Sequence, residues 1–294
     1  MNGAIPLHMK QLTKELNGFR LGPVDLMLEQ GLTYALIGSN GSGKSTLMRC
    51  CMNLLKPTSG TVELFGESYE QAEASIKTRI AFSPEPLEGC ELFTLHEMEI
   101  FIAPWYPSWD HRDFLRRAGL FRLSLKKRYG QLSQGERKKA ALTLALSTQA
   151  PLLLLDEPTN GLDIASRSHL KHMLVEDAER IERTVLLATH SIEDIRQFAD
   201  CLLLLRDGKI EGPYEKDTLI ESWRRVWLSG EGLPDLQDIP GVIERIASPI
   251  PQLVSCNWGE TLAFLQAENI EIVRDRPLSL DEIMERLTNN DETR

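Results

Sequence analysis

Tyr34-Ala35-Leu36-Ile37-Gly38-Ser39-Asn40-Gly41-Ser42-Gly43-Lys44-Ser45-Thr46 passes from a short apolar run through a glycine-rich turn into the helical-looking Leu47–Lys56. The apolar run has strand character, and Pro57 stands where the helix should stop. The stretch fits the strand–GxxxxGK[ST]–helix pattern in full and in the right context. Gly41 and Gly43 let the backbone wrap closely around phosphates. The helix start adds unpaired N–H donors and a favourable dipole. Lys44 supplies a compact charge to β- and γ-phosphates, and the Ser45 hydroxyl can ligate Mg²⁺. Residues Gly38, Ser39, Asn40, Gly41, Ser42, Gly43, Lys44, Ser45 and Thr46 are therefore the expected phosphate cradle.

Leu152-Leu153-Leu154-Leu155-Asp156-Glu157-Pro158 reads as a buried strand ending in two carboxylates. An unbroken aliphatic run suits a strand covered on both faces, as in a parallel sheet with flanking helices. Ligands of open α/β sheets sit at such strand ends. Asp156 is expected to hold Mg²⁺ through its water shell, and Glu157 to polarise the attacking water.

A phosphate loop alone leaves several classes open. Leu132-Ser133-Gln134-Gly135-Glu136-Arg137-Lys138-Lys139 narrows them, because it resembles the LSGGQ signature of the ATP-binding cassette (ABC) family. Asn160-Gly161-Leu162-Asp163 resembles that family's D-loop, and Leu187-Ala188-Thr189-His190-Ser191 its switch histidine. The resemblance covers about residues 5–212. It implies an α/β, P-loop NTPase cassette with a RecA-like core sheet, an antiparallel β subdomain and an α-helical subdomain at about 86–150. Residues 213–294 are expected to form a small, acidic C-terminal accessory domain. Within the family, that extra segment and Trp105-Tyr106-Pro107-Ser108-Trp109-Asp110 look like bacterial drug, lantibiotic or ABC-2-type exporter subunits.

The resemblance also implies a mechanism. Two cassettes sandwich two ATP molecules, each held by one phosphate loop and the signature of the opposite subunit. Ser133 and the Gly135 backbone would meet a γ-phosphate across that interface, and His190 would contact one within its own subunit. Three departures stand out. Glu85 replaces the family's Gln in Phe82-Ser83-Pro84-Glu85, where a carboxylate can ligate Mg²⁺ but cannot donate as an amide does. Gln134 and Glu136 replace a Gly and a Gln of the signature. Phe19 is the nearest candidate for the aromatic that stacks on adenine, with core or loop packing as the alternative.

Composition bounds these readings. The chain has 294 residues, 42% hydrophobic and 26% charged, enough apolar content for a sizeable core. No stretch approaches the ~20 apolar residues that cross a bilayer, and no signal peptide is expected. Five cysteines without C-x-x-C argue for reduced thiols and a cytoplasmic location. Residues 1–210 hold 25 basic and 26 acidic side chains, residues 211–294 hold 8 and 17. That balance disfavours nucleic acid as a partner. The Pro/Gly-rich stretch 230–251 reads as a loop-rich connection. Ser279 and Glu282 cap a terminal helix that reaches about Thr288.

Three functions compete. The first is the energising subunit of a membrane exporter, peripheral on the inner face of the membrane. Its partners would be membrane-spanning permease subunits and a second ATP-binding subunit. The second is a soluble, non-transport ABC ATPase of repair, chromosome or translation type, whose long coiled coil or tandem cassette is missing. The third is a binding module that uses ATP only as a switch, against which Lys44, Asp156, Glu157 and His190 all speak. ATP and Mg²⁺ are the expected ligand and cofactor in the first two.

Overall fold

The computed structural model describes residues 5–16, 18–84, 87–229, 238–246 and 250–289. Its chain divides into two units, Met1–Pro213 and Tyr214–Arg294. The first opens with two ten-residue antiparallel strands, β1 (Leu7–Leu16) and β2 (Phe19–Leu28). The strands meet on either side of Gly18, and β2 continues across Gly22 and Pro23 with irregular register between Met9 and Lys14 of β1. Then come β3 (Thr33–Ile37), α1 (Lys44–Cys51), β4 (Ser59–Leu64), the short β5 (Glu67–Ser68), α2 (Tyr69–Lys77) and β6 (Ile80–Ser83). Helix α1 stops well before Pro57: Met52 caps it and Asn53 turns left-handed at φ 55°. A helical segment follows, with α3 (Leu95–Ile102), α4 (His111–Leu120) and α5 (Gln134–Ser147). The unit ends with β7 (Leu152–Asp156), α6 (Ile164–Ile181), β8 (Thr184–Thr189), α7 (Ile192–Phe198), β9 (Cys201–Arg206) and β10 (Lys209–Glu215).

Strands β2-β1-β4-β5 form one antiparallel sheet, and β10-β9-β3-β8-β7-β6 form the central one. The inner pairs of the central sheet are parallel. Strand β7 shows why. Leu152 and Leu154 pack into one apolar core with Leu36, Leu186 and Leu203, whereas Leu153 and Leu155 pack into another with Val185 and Leu187. Side chains alternate along a strand, so a run of four leucines feeds two cores at once. That double burial fixes the register of β7 and places Asp156 at the rim of the sheet.

The helical segment has its own core around Leu95, Met98, Phe114 and Leu144. A buried ionic cluster secures it to α6. Arg117, on α4 and fully buried, donates to Asp113 Oδ2 at 2.6 Å and to Asp177 Oδ1 of α6 at 2.7 Å. Arg183 donates to Asp177 Oδ2 at 2.5 Å and to the Ala150 and Leu146 carbonyls. Burial pushes the Arg183 guanidinium down to about 10, against the pull of Asp177. Such charges are tolerable inside only because each is paired and hydrogen-bonded.

The second unit holds α8 (Lys216–Ser222), β11 (Arg224–Leu228), β12 (Val242–Ile246), β13 (Gln252–Ser255), α9 (Trp258–Ala267), β14 (Ile272–Pro277) and α10 (Leu280–Asn289). Its strands form an antiparallel sheet of order β12-β13-β11-β14 around Val226, Leu228, Leu253 and Leu265. Strand β12 lies inside the stretch expected to be loop. Its alternating Val242, Glu244 and Ile246 pair with β13 despite the flanking Pro and Gly residues. The Ser279–Glu282 capping pair opens α10 as expected, with reciprocal bonds of 3.3 and 3.0 Å. Among the described residues no helix is long and apolar enough to cross a membrane.

Candidate functional site

Lys44 is the first residue of α1, capped by Gly43 at φ 109°. A side chain at Gly43 would meet the Phe19 ring at 2.7 Å, so this position needs glycine for both its backbone angle and its space. The same contact puts Phe19 over the loop. Lys44 is only 7% exposed, and its Nζ donates to the Gly38 and Ser39 carbonyls at 2.7 and 3.1 Å. Burial lowers its affinity for the proton, while Glu157 and Asp156 pull the other way. A cavity of about 260 Å³ opens above this loop, lined by Phe19, Asn40, Gly41, Gly43, Lys44, Ser45, Thr46, Asp156 and Glu157. The strand-end carboxylates thus share a cavity with the glycine-rich loop, although more than a hundred residues separate them in sequence.

Glu157 has a left-handed φ of 45°, uncommon for a residue of its type and worth about 1–3 kcal/mol of strain. Its N–H donates to the Ala188 carbonyl at 2.9 Å, which secures the turn to the end of β8. His190 follows β8, and its Nδ1 lies 2.9 Å from Glu157 Oε1. A carboxylate only accepts, so this contact makes Nδ1 the donor and leaves Nε2 without its proton in the neutral ring. His190 is well exposed and Glu157 largely buried. Ser45 and Asp156 both line the cavity, and their oxygens are hard ligands of the kind a Mg²⁺ ion takes. Glu85 lies outside the described residues.

The model of the family described as ABC transporter matches residues 21–160. The chain is 30% identical over 203 residues to the petrobactin import ATP-binding protein FpuC of Bacillus anthracis, covering 66% of this chain and 75% of that relative. It belongs to the ABC transporter ATP-binding proteins. A second relative, the ABC transporter ATP-binding protein YtrB of Bacillus subtilis, is 25% identical over 282 residues, 94% of this chain and 96% of its own. A solved structure of an ATP binding subunit of an ABC transporter superposes with a TM-score of 0.65 at 26% identity, covering 73% of this chain and 92% of that one. The protein is an ABC-type ATPase with the cassette fold.

In this cassette the signature residues sit apart from the cavity, at the start of α5. Ser133 caps that helix: its Oγ accepts from the Glu136 N–H at 3.2 Å, and its own N–H donates to Glu136 Oε2 at 2.7 Å. The departure Glu136 therefore completes a capping box. The Ser133 N–H bond holds its carboxylate below the usual range, and Lys127 lies 3.2 Å away. Gly135 packs against the D-loop, where an added Cβ would meet the Gly161 carbonyl at 2.9 Å. Sequence reasoning missed Lys138, whose buried ammonium donates to the Asp156 carbonyl at 2.9 Å and connects α5 to the end of β7. It also missed Thr159, Thr189 and Asp194, three buried polar residues joined by hydrogen bonds.

Proposed function

We propose that this ABC ATPase powers export through separately encoded membrane-spanning subunits, and that it works as a dimer driven together by ATP. The observation that carries the site reading is the cavity shared by the phosphate loop, Asp156 and Glu157, with His190 against Glu157. In this reading the backbone N–H groups from Gly38 to Thr46 and the Lys44 ammonium bind the phosphates. Phe19 stacks on the base. Ser45 and Asp156 hold Mg²⁺, which when bound neutralises charge on the β- and γ-phosphates. Glu157 takes the proton of the attacking water. His190, oriented by Glu157, contacts the γ-phosphate in the same subunit. Ser133 and Gly135, at a capped helix start, offer N–H donors to a nucleotide held by a second subunit.

Export as the direction rests on the resemblance of the 105–110 stretch and of the added C-terminal segment to exporter subunits; the likeness to the import protein FpuC covers two thirds of the chain. Accumulation of substrate inside everted vesicles on addition of ATP would support export, and uptake by intact cells would reverse it.

A membrane partner is supported by the exposed apolar surface of the helical segment. Leu92, Ile100, Phe101 and Trp105 are each at least 60% exposed, an unusual concentration for a water-facing surface. Beside them a groove of about 740 Å³ runs between α2, α5 and the 102–106 turn. Local packing accounts for Tyr106, which donates to the Ile80 carbonyl at 3.1 Å, and for Trp109, 5.8 Å from Phe114. It does not account for Trp105. Phe101→Ser with Trp105→Ser should leave ATP hydrolysis by the isolated chain within about twofold, because surface changes of this kind are nearly neutral. It should abolish co-purification of an integral membrane protein from mild detergent. Retained co-purification would place the docking surface elsewhere.

Residues 213–294 form an accessory unit in this reading and contribute no ATP ligand, since every nucleotide motif is complete by His190. Strand β10 runs to Glu215, so a chain ending there keeps the central sheet whole. Such a chain, shown to be folded by circular dichroism, should bind ATP with an affinity near that of the full chain. Loss of binding would assign the accessory unit a direct role.

A further inference from the structure

Glu157 and His190 stand on two separate turns, one after β7 and one after β8, and a buried carboxylate from a third element joins them. Asp194, in the first turn of α7, is 1% exposed. Its Oδ2 accepts from Thr159 Oγ1 at 2.6 Å and from Thr189 Oγ1 at 2.9 Å. Both hydroxyls belong to buried residues. Thr189 Oγ1 accepts in turn from the Ser191 N–H at 3.0 Å, and Ser191 Oγ accepts from the Asp194 N–H at 3.3 Å. The turn that presents His190 is therefore closed from both sides. On the other turn, the Asn160 N–H donates to the Glu157 carbonyl at 3.2 Å and the Leu162 N–H to the Thr159 carbonyl at 3.0 Å. Thr159 is thus built into the same turn as Glu157 and Gly161.

A carboxylate at this depth costs several kcal/mol unless it is well hydrogen-bonded. Asp194 does not line the nucleotide cavity. A buried brace between two turns could be made by apolar side chains at 159, 189 and 194 together, without the cost of a buried carboxylate. The ionised group adds direction: two strong hydroxyl bonds to one oxygen set the separation and the angle of the two turns. The contact those turns carry is the 2.9 Å Glu157–His190 pair.

We propose that Asp194 is a positioning residue for ATP hydrolysis, holding Glu157 and His190 in register through the Thr159 and Thr189 hydroxyls. The proposal rests on the reading of Glu157 and His190 as the groups at the reacting phosphate. By the same bonds it ties the D-loop turn at 160–163 to the His190 turn, so a change at one is felt at the other.

The test uses the full chain and steady-state phosphate release. Asp194→Asn keeps the shape but weakens both bonds; Thr159→Val removes one of them, and Thr189→Val removes the other together with the acceptor for the Ser191 N–H. Each variant should keep its KM for ATP within about threefold while kcat falls about 10–100-fold, the scale of a small misplacement at a reacting centre. Thr189→Ser and Thr159→Ser restore the hydroxyl and should restore kcat. In a Glu157→Gln background Asp194→Asn should add almost nothing, because the geometry it sets no longer matters. A brace with a purely structural role would show equal losses in both backgrounds, or a fall in melting temperature with kcat unchanged per folded molecule. Either result overturns the proposal. So does wild-type kcat in the valine variants while Glu157→Gln is inactive. If Glu157→Gln is itself fully active, the site reading fails first, and the two failures are told apart.

Discussion

Glu157→Gln is expected to bind ATP and to hydrolyse it about 10²–10⁴-fold more slowly than the native chain, the loss typical of removing a general base. The amide has the carboxylate's shape and can still accept from His190 Nδ1, now 2.9 Å from Glu157 Oε1. The left-handed turn at φ 45° is unaffected, because its strain is in the backbone. What disappears is the capacity to take a proton, together with one negative charge on the lining of the cavity proposed to hold the triphosphate. Both changes act in one direction: less repulsion favours bound ATP, and no base leaves it uncleaved.

The same variant reports on assembly. An uncleaved ligand that bridges two subunits favours their association by mass action. Glu157→Gln with Mg²⁺-ATP should therefore accumulate as a dimer in light scattering, and the native chain should not. Turnover at the native rate would remove Glu157 from the base role. Arrested hydrolysis with no dimer would leave the base assignment standing and remove the homodimer, pointing to a second, different cassette as the partner.

How much of this was legible in the sequence depends on how local each feature is. The phosphate loop is contiguous, and its demands on glycine and lysine are backbone demands, so it reads directly. Helix α5 begins where its sequence says, because Ser133 and Glu136 cap it within one turn. Four leucines identify β7 as doubly covered, and the alternating cores bear that out. Other features depend on distant partners. Asp194 lies 35 residues from Thr159, and Arg117 lies 60 from Asp177. A buried hydroxyl–carboxylate bond or ion pair leaves no period or spacing behind it. Strand β12 was hidden for a different reason: its Pro- and Gly-rich flanks read as loop, and only pairing with β13 fixes it as a strand. Helix α1 erred the other way, since its apolar pattern continues past Cys51, where the chain turns at Asn53.

Lys44→Ala is expected to weaken Mg²⁺-ATP binding by about 30-fold to several thousand-fold, the range for losing one partner of a desolvated charge contact at 1.4 kcal/mol per tenfold. Lys44 lines the cavity together with Asp156 and Glu157, whose charges act on it. Without it, two carboxylates face the incoming triphosphate and their repulsion adds to the lost attraction. The unliganded protein should lose little, at most about 1 kcal/mol, because losing the bonds to the Gly38 and Ser39 carbonyls is offset by no longer burying an ammonium group. Affinity and stability should therefore separate: calorimetric titration with ATP loses its heat while the thermal midpoint without nucleotide barely moves. Lys44→Arg tests shape against charge. The guanidinium keeps the positive charge but is a larger planar fork in a seat that holds a compact ammonium between two loop carbonyls. It should recover only part of the lost affinity. If Lys44→Ala binds ATP as the native chain does, the phosphates do not lie in this cavity, and the roles given to Asp156, Glu157 and His190 fall with it.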